Sequence, residues 1–352
     1  MPYKVLQVID KLDVGGAEKI TVLLANILVN KGHDISVLTI TDTGELSGNL
    51  CPKVKQINLS RRSKWDISSA INFMKIANNY DLIHIHLRHN LKWVLFWSII
   101  LRKRFNIIFH DHGNVILEWN LLFSINISKL SHIMVNRKLC KSQPLIHSFS
   151  PKVYFLENII DQVPAKGNYH KNKDQYSLVI VSNLRKSKNI QFAINLASYL
   201  AQDNKIILDL YFTHFNKEYL KGLQELSKNT NSQLEVNFIE GIIEPQLYFN
   251  KYDLALNPSV NESGPLNVLE YLAHGLPFIS YNSGQSIILV EEKFPEFIIN
   301  SFIIEKWVSR LKMVLERGRF YYMSSMQKLY NQNYSSEDYL VKCLKIYKKN
   351  LN

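Results

Sequence analysis

The sequence is poor in cysteine and has no long apolar run. Its three cysteines, Cys51, Cys140 and Cys343, lie far apart and show no ligand spacing. This odd, sparse set argues against a disulfide framework or a zinc site and for a reducing compartment. The longest apolar stretch, "WVLFWSIIL" (Trp93 to Leu101), has about half of the ~20 residues that a membrane-spanning helix needs. The opening "MPYKVLQVID" lacks the features of a signal peptide, so we expect a cytoplasmic protein.

The usual signatures of metal and nucleic-acid sites are missing as well. The sequence contains no helical HExxH and no Asp-x-Asp. It also has no recognition helix, zinc finger or aromatic RNA-binding signature. We therefore expect neither a required metal nor a nucleic-acid partner.

Acidic residues are outnumbered, since 42 Lys and Arg against 30 Asp and Glu give a net charge of +12. The excess leans towards the first half, notably "SRRSK" (Ser60 to Lys64) and "LRKRF" (Leu101 to Phe105). A solvated basic face is the plain interpretation. Among partners, phosphorylated small molecules and an anionic membrane surface come before nucleic acid.

What the sequence does have is a regular alternation of apolar strands and amphipathic helices. Near-continuous apolar strands such as "KVLQVI", "DLIHIHL" and "KIILDLYF" indicate parallel sheets covered on both faces. The polar segment 162–175 interrupts the alternation and reads as a linker. We predict a first doubly wound α/β domain over 1–162 and a second over 163–335, facing each other across a cleft. A helix over 336–352 is predicted to pack back on the first domain.

Ligands of open parallel sheets bind beyond the carboxyl ends of the strands, so the loops there are the candidate sites. The first is "VGGAEK", where Gly15 and Gly16 allow close backbone approach before a helix start that favours an anion. A simple tight turn is the alternative. The loop is not the dinucleotide fingerprint, which needs a third glycine.

Histidines follow or occupy two of the strands. Strand alternation places His84 with His86 on one face and His110 with His112 on one face. Hydrogen-bonded core histidines are the plain interpretation, favoured for His84. His112, followed by Gly113 at the strand exit, is better placed to face a cleft.

Three cations, Arg185, Lys186 and Lys188, lie in "SNLRKSKN" between a strand and a helix predicted from about Asn189. Cations at a helix start oppose its dipole, a cost that a bound diphosphate would remove. An exposed basic turn is the alternative.

The stretch "NESGPLNVLE" carries two carboxylates, Glu262 and Glu270, around a predicted helix start. We predict Gly264 as the N-cap, Pro265 as the first helical residue and a helix end near His274. Eight helical residues span about 12 Å, more than the ~5–9.5 Å of a glycosidase pair. The stretch therefore favours a clamp around an anion over an acid/base pair.

These motifs resemble those of retaining glycosyltransferases with the GT-B fold, especially glycosyltransferase family 4. "NESGPLNVLEYLAHGLPFIS" resembles the family's Glu-x7-Glu motif, "VGGAEK" its glycine loop and "RKSKN" its diphosphate-binding turn. "FLENIID" (Phe155 to Asp161) is similar to the segment at the domain junction. The resemblance covers nearly the whole chain in the family's order.

The resemblance implies that Glu262 contacts the donor sugar, that Glu270 binds the ribose, and that Lys188 contacts the diphosphate. It also implies that His112, or else His110, lies near the reacting sugar. The implied catalytic residues are His112, His110 and Glu262. The implied donor-binding residues are Gly15, Gly16, Asn183, Arg185, Lys188, Glu262, Ser263, Gly264, Pro265, Leu266, Asn267 and Glu270.

Two positions depart from the family pattern. Asn183 stands where the family has an arginine, and Arg185 is the nearby residue that could supply this charge. The glycine-rich turn expected after the next strand reads "LYFTHFN" (Leu210 to Asn216), which puts base recognition there in question.

The implied function is metal-independent transfer, with retention, of a sugar from a nucleotide-diphosphate-sugar, UDP-sugar rather than GDP-sugar. The acceptor is expected to be a saccharide or lipid-linked saccharide of surface polysaccharide (capsule, O-antigen or lipopolysaccharide) synthesis. The protein would be cytoplasmic or peripheral on the inner face of the cell membrane. The alternatives are a non-catalytic nucleotide-sugar-binding subunit and a sugar-nucleotide epimerase of similar fold.

Overall fold

The chain forms two compact units. The computed structural model describes residues 2–113, 130–137, 140, 152–172 and 174–351. One unit comprises residues 1–160 together with 335–352, and the other comprises 161–334. The last helix thus belongs to the first unit, and the division falls inside "FLENIID".

Each unit is built on one parallel sheet. The first sheet has seven strands in the order β3-β2-β1-β4-β5-β6-β7, and the second has six in the order β10-β9-β8-β11-β12-β13. The strands of the first unit are β1 (Lys4–Ile9), β2 (Asp34–Thr39), β3 (Lys55–Asn58), β4 (Leu82–His86), β5 (Ile107–Asp111), β6 (Leu130–Met134) and β7 (Lys152–Phe155). Those of the second are β8 (Gln175–Val181), β9 (Lys205–Phe212), β10 (Leu234–Glu240), β11 (Leu254–Asn257), β12 (Phe278–Tyr281) and β13 (Ile298–Ile299). The prediction of two Rossmann-like parallel-sheet domains is confirmed.

Helices connect the strands within each unit. In the described part of the first unit these are α1 (Gly16–Asn30), α2 (Ile67–Ala77), α3 (Arg88–Ile100) and, at the end of the chain, α10 (Ser336–Leu351). Those of the second unit are α4 (Ile190–Leu200), α5 (Lys217–Lys228), α6 (Leu266–Ala273), α7 (Ser286–Lys293), α8 (Ile304–Arg317) and α9 (Arg319–Asn333). Short 3-10 turns occur at Lys186–Lys188 and Pro245–Lys251, among other places.

The central strands of the first sheet are buried on both faces. Every residue of β4 and β5 is buried, and in β1 only Lys4 is exposed. Strands covered by helices on both sides lose their polar alternation, so polar side chains within them must find partners inside the core. Three of these polar side chains are histidines, His84, His86 and His110, and His112 directly follows β5.

The four histidines predicted to share strand faces form one stack, here called the histidine stack (His84, His86, His110 and His112). The ring centroids of His84 and His86 are 4.6 Å apart, and those of His110 and His112 are 4.2 Å apart. Parallel pairing of β4 with β5 places His86 beside His110. From α10, the Tyr347 hydroxyl lies 2.8 Å from His84 Nδ1. The predicted face sharing and the core role of His84 are confirmed.

Burial keeps the histidine stack neutral. Desolvation lowers the pKa of His84 from 6.5 to about 3 and that of His112 to about 4. For His86 and His110, desolvation by burial, together with the neighbouring rings, lowers the pKa well below 6.5. At neutral pH the rings therefore stack as uncharged imidazoles.

In the second unit, Arg319 at the start of α9 ties the end of α6 to the turn before β11. Its guanidinium is buried and donates to five oxygens at 2.6–3.2 Å, namely the carbonyls of Gly275, Phe249, Tyr252 and His274 and Oδ1 of Asn250. A planar fork with five N–H donors suits this arrangement, which an ammonium could not reproduce.

We predict that Arg319→Met lowers the free energy of unfolding of the second unit by about 3 kcal/mol or more, because several buried carbonyls lose their donor. Arg319→Lys should recover only part of the loss. The exposed Arg310→Met in α8 is the matched control. Urea unfolding provides the measurement, and equal stability of the Arg319 and Arg310 variants would contradict this role.

We also predict that acid destabilises the first unit through the histidine stack. The unfolded chain binds these protons near pH 6.5, whereas folded His112 and His84 bind them only near 4 and 3. Stability should therefore fall as the pH drops below 6.5, by up to about 1.4 kcal/mol per pH unit for each histidine. Urea unfolding between about pH 7.5 and pH 5 measures this slope.

His110→Phe keeps a stacking ring but removes one titrating group, so it should flatten that slope. The exposed His170→Phe is the matched control and should leave the slope unchanged. Equal slopes for the wild type and His110→Phe would show that the stack does not carry this linkage.

Candidate active site

The predicted residues of the second unit gather at the carboxyl ends of β8 and β11, which are neighbours in the sheet. The turn Lys186–Lys188 follows β8, and the loop before α6 follows β11. The amide of Val260 donates to the carbonyl of Ser187 at 3.0 Å, which joins the two loops. This link places Lys188 against Glu262.

Lys188 and Glu262 form an ion pair through Nζ and Oε1. The side chains retain 26% and 14% of their accessible surface. An ion pair that is partly open to solvent contributes about 1 kcal/mol or less. A ligand that offers an anion to Lys188 and hydroxyls to Glu262 could therefore separate the pair at small cost.

The loop that carries Glu262 is held by the turn after β12. Ser283 Oγ accepts a hydrogen bond from the Glu262 amide at 2.8 Å and donates to the Val260 carbonyl at 3.2 Å. Gly284 has a φ of +96°, and a Cβ there would lie 2.6 Å from Pro265 Cδ and 3.1 Å from Glu262 Cβ. Glycine is thus required at 284 for this close approach.

The predicted start of α6 is wrong by one residue. Pro265 has φ −63° and ψ 117°, so it is the extended N-cap, and the helix begins at Leu266 rather than at Pro265 behind a Gly264 cap. Proline has no side-chain acceptor to cap the first amides. Asn267 instead fixes the helix start, because its Nδ2 donates to the Val181 carbonyl at 3.2 Å, at the end of β8.

Glu270 lies inside α6, as predicted, and is buried. Its Oε1 accepts a hydrogen bond from Gln246 Nε2 at 3.0 Å, and Gln246 Oε1 accepts from the Val163 amide at 3.3 Å. A buried carboxylate needs such donors. Glu270 is therefore held at a fixed place more than one turn from Glu262.

The three predicted cations have different surroundings. Arg185 and Lys186 are exposed and line a pocket of about 810 Å³ with His214 and Tyr219, among others. Lys188 is not among the residues lining that pocket. The cluster expected from the sequence is therefore divided between Lys188, paired with Glu262, and a separate basic pocket.

Asn183, which stands where the family has an arginine, joins the loops after β8 and β9. Its Oδ1 accepts hydrogen bonds from Thr213 Oγ1 at 3.1 Å and from the His214 amide at 3.2 Å. The segment that replaces the glycine-rich turn is thus tied to the loop that follows β8. An asparagine suits this position because its carbonyl accepts both donors.

In the first unit, the two glycines occupy the turn between β1 and α1. Gly15 is the N-cap with φ −152° and ψ 168°, and Gly16 is the first residue of α1. A Cβ at Gly15 would clash with the carboxylate of Glu18. The carboxylate of Glu18 therefore lies against Gly15, in the space that a side chain at position 15 would fill.

The two candidate catalytic histidines differ in exposure. His110 is buried within β5, whereas His112 lies at the strand exit and is partly exposed. Between them Asp111 points to the other face, where its Oδ2 accepts from Arg88 Nη2 at 2.7 Å. Its Oδ1 accepts from the Gly113 amide at 2.8 Å and so shapes the backbone beside His112. Of the two, His112 is the one that a ligand can reach.

Three histidines of the stack could be mistaken for a metal site. Ring nitrogens of His84, His86 and His110 lie within 4.8 Å of one another. The planes of His84 and His86 differ by 11° and those of His84 and His110 by 24°. Lone pairs in nearly parallel planes do not converge on one point at the ~2.1 Å of a metal bond. The stack fits ring packing better than metal coordination.

Sequence reasoning missed the residues that position the site. Gln246, Ser283 and Gly284 in the second unit lie far along the chain from the residues they hold. The only signal was the turn glycine in "NSGQS". Gln7, buried in β1 beside the histidine stack, reads in the sequence as one polar residue within an apolar strand.

The arrangement in the second unit suits an anion with a polar group on each side. The amide of Val268 donates to Asn267 Oδ1 at 2.9 Å, and the helix dipole favours negative charge at this end of α6. Lys188 adds a cation, while Glu262 and Glu270 offer acceptors for hydroxyl groups. A phosphate ester carrying hydroxyl groups at both ends matches this pattern.

Comparison with known proteins agrees with this pattern. Residues 14–144 match the family model "Glycosyltransferase Family 4". Residues 163–334 match the model "Glycosyl transferases group 1". An uncharacterized glycosyltransferase of Haemophilus influenzae is 22% identical over 342 residues, which cover 92% of this chain and 93% of that protein.

Solved structures share the fold over the whole chain. A glycosyltransferase from Rickettsia africae has a TM-score of 0.78 at 16% identity and covers 100% of this chain and 99% of its own. HepE from Anabaena, in complex with UDP-glucose, has a TM-score of 0.75 at 14% identity over 99% of this chain and 100% of its own.

With a glycosyltransferase model matched on each of its two units, the chain belongs to the glycosyltransferases and has the GT-B fold.

Proposed function

We propose that this enzyme transfers a sugar, with retention and without a metal, from a nucleotide-diphosphate-sugar to a saccharide or lipid-linked saccharide. The observation that carries the proposal is the pairing of Lys188 with Glu262 at the start of α6, with Glu270 buried behind it. A UDP-sugar is the favoured donor, since the structural neighbour HepE binds UDP-glucose.

In this proposal the donor replaces the ion pair. Its diphosphate contacts Lys188 and the amides of Gly264, Leu266 and Asn267, its sugar hydroxyls contact Glu262, and its ribose contacts Glu270. Each charged group then exchanges one partner for another. Gly15, Gly16 and His112 remain the first unit's candidates for contacting a substrate, and Asn183 and Arg185 are assigned to the donor side.

The proposed reaction is a front-face displacement. The bond from the anomeric carbon to the diphosphate oxygen breaks, and a bond to the acceptor oxygen forms on the same face. The acceptor proton passes to the leaving diphosphate. Lys188 and the helix-start amides stabilise the charge that develops there, and such preorganised electrostatics is usually the largest catalytic contribution. The chemistry needs no metal because these protein groups supply the positive charge.

We predict that Glu262→Gln and Glu270→Gln have separable effects. Loss of the Glu262 charge should lower kcat by about 100-fold with little change in donor KM, because its contacts strengthen in the transition state. Loss of Glu270 should weaken donor binding about tenfold with a smaller change in kcat, since a hydrogen bond to a charged group is lost. Initial rates and calorimetry with UDP-sugars measure both.

The exposed Glu316→Gln in α8 is the matched control and should behave as wild type. Donor hydrolysis measured alongside transfer separates an enzyme from a binding subunit. Wild-type turnover in Glu262→Gln would refute the role assigned to Glu262.

The acceptor side of the proposal rests on a surface of the first unit. Four apolar side chains are exposed there, Trp65 (60%), Ile67 (57%), Ile71 (41%) and Ile100 (50%), and we call them the apolar patch. The ring of Trp65 packs on Phe96 of α3, one helical turn from Ile100. Ile67 and Ile71 are one turn apart on α2.

Exposed cations lie near the apolar patch in the sequence. Arg62, Lys64, Arg102, Lys103 and Arg104 are all exposed and lie next to it in sequence. Among the described residues, no helix is both long and apolar enough to cross a bilayer. Exposed aromatic and aliphatic side chains with exposed Lys and Arg nearby in the sequence are suited to binding an anionic membrane surface. We propose that the protein works on the inner face of the cell membrane, on an acceptor held there for surface polysaccharide synthesis.

We predict that vesicles rich in anionic lipid bind the protein and that rising salt weakens this binding steeply. Replacing both Trp65 and Ile67 by serine should reduce binding at least about tenfold, because two buried apolar side chains are lost. The exposed Ile288→Ser in the second unit is the matched control. Co-sedimentation gives the readout, and salt-insensitive binding, or none, would contradict the membrane assignment.

A further inference from the structure

Gln7 has no exposed surface, and its side-chain amide lies beside two backbone groups of α1. One end lies 3.3 Å from the Thr21 carbonyl oxygen, and the other lies 3.1 Å from the Ala25 amide nitrogen. A backbone carbonyl can only accept a hydrogen bond, and a backbone N–H can only donate one. With its nitrogen towards Thr21 and its oxygen towards Ala25, the Gln7 amide satisfies both contacts.

This orientation decides the tautomer of the next residue. The same Gln7 nitrogen lies 3.1 Å from His86 Nε2 and donates to it. His86 Nε2 must then be the unprotonated nitrogen, and the proton of the neutral ring is on Nδ1. His86 is fully buried, and burial lowers its pKa well below 6.5, so the ring stays neutral.

The hydrogen bond between His86 and His112 then determines the tautomer of His112. His86 Nδ1 lies 3.0 Å from His112 Nε2, so the protonated Nδ1 of His86 donates and Nε2 of His112 accepts. Desolvation by burial lowers the pKa of His112 to about 4, which keeps this ring neutral as well. A neutral ring that accepts at Nε2 carries its proton on Nδ1.

We propose that Gln7 and His86 are positioning residues that fix His112 as the Nδ1–H tautomer with Nε2 engaged. The ring of His112 then has no open lone pair with which to take a proton from an acceptor hydroxyl. Any contact that the ring makes with a substrate oxygen is a donated hydrogen bond. This inference deepens the proposed function and rests on it for the role of His112 near the reacting sugar.

The relay also couples two parts of the first unit. Thr21 and Ala25 belong to α1, whose N-cap is Gly15. One buried amide thus contacts both the helix that begins at the glycine turn and the histidine that sets His112. With His112 unable to accept a proton, the departing diphosphate takes the proton of the acceptor hydroxyl, in agreement with the proposed displacement.

Long-range ¹H–¹⁵N correlation spectra of ¹⁵N-histidine-labelled protein near pH 7.5 test the relay directly. His86 and His112 should each show a protonated Nδ1 and an unprotonated Nε2, with signals assigned by single substitutions among the 11 histidines. A protonated Nε2 on His112 in the wild type would overturn the proposal, whatever the enzyme does.

Gln7→Glu should reverse both tautomers, because a carboxylate accepts from His86 Nε2. It should lower kcat about tenfold, the effect of one lost hydrogen bond, with donor KM within about twofold. Gln7→Met, which removes the amide without adding charge, should give mixed tautomers and a smaller loss of kcat. A fixed wild-type tautomer of His112 in both folded variants would contradict the relay.

Tyr347→Phe is the matched control, since it removes the hydrogen bond to His84 Nδ1 in the same stack but outside the relay. The tautomers of His86 and His112 should be unchanged in it. If the spectra agree with the relay but no UDP-sugar is turned over, the proposed function fails while the tautomer assignment stands. If sugar is transferred but His112 is protonated on Nε2, only the relay fails.

Discussion

The half-buried ion pair of Lys188 and Glu262 is the contact on which the second unit's chemistry depends. It forms because two loops that follow adjacent parallel strands are joined by the hydrogen bond from Val260 to Ser187. Ser283 and Gly284 then hold the Glu262 loop against the start of α6. A ligand that offers an anion to Lys188 and hydroxyl groups to Glu262 could take the place of this pair.

In the first unit the corresponding constraint is the burial of histidine rings in their neutral form. Three rings of the histidine stack lie in strands covered on both faces and the fourth, His112, lies at the end of β5, and the neutral rings meet each other, Tyr347 and Gln7. Neutral rings have defined donors and acceptors. A buried glutamine in β1 can therefore decide, through His86, which nitrogen of a histidine at the strand exit carries a proton.

Much of the fold could be predicted from sequence because a buried strand appears as a short apolar run that can be recognised locally. β3, β7 and β13 were not predicted, because "KQIN" and "KVYF" are edge strands with no fully buried residue and β13 has only two residues. The Glu262 loop and the helix placement of Glu270 followed from glycine, proline and spacing. The cap of α6 was misplaced because the ψ angle of Pro265 depends on packing against Gly284. Gln246, Ser283 and Gln7 act across long stretches of chain, where no local pattern points to the partner.

We propose that the second unit binds a nucleotide-diphosphate-sugar. Thermal unfolding in the presence of nucleotides and nucleotide sugars tests this binding most directly. A ligand at 100 times its dissociation constant should stabilise the fold by about 2.7 kcal/mol. We predict a clear rise in melting temperature with UDP and at least one UDP-sugar, larger than with GDP-sugars or adenine nucleotides. No shift with any nucleotide or nucleotide sugar would contradict it.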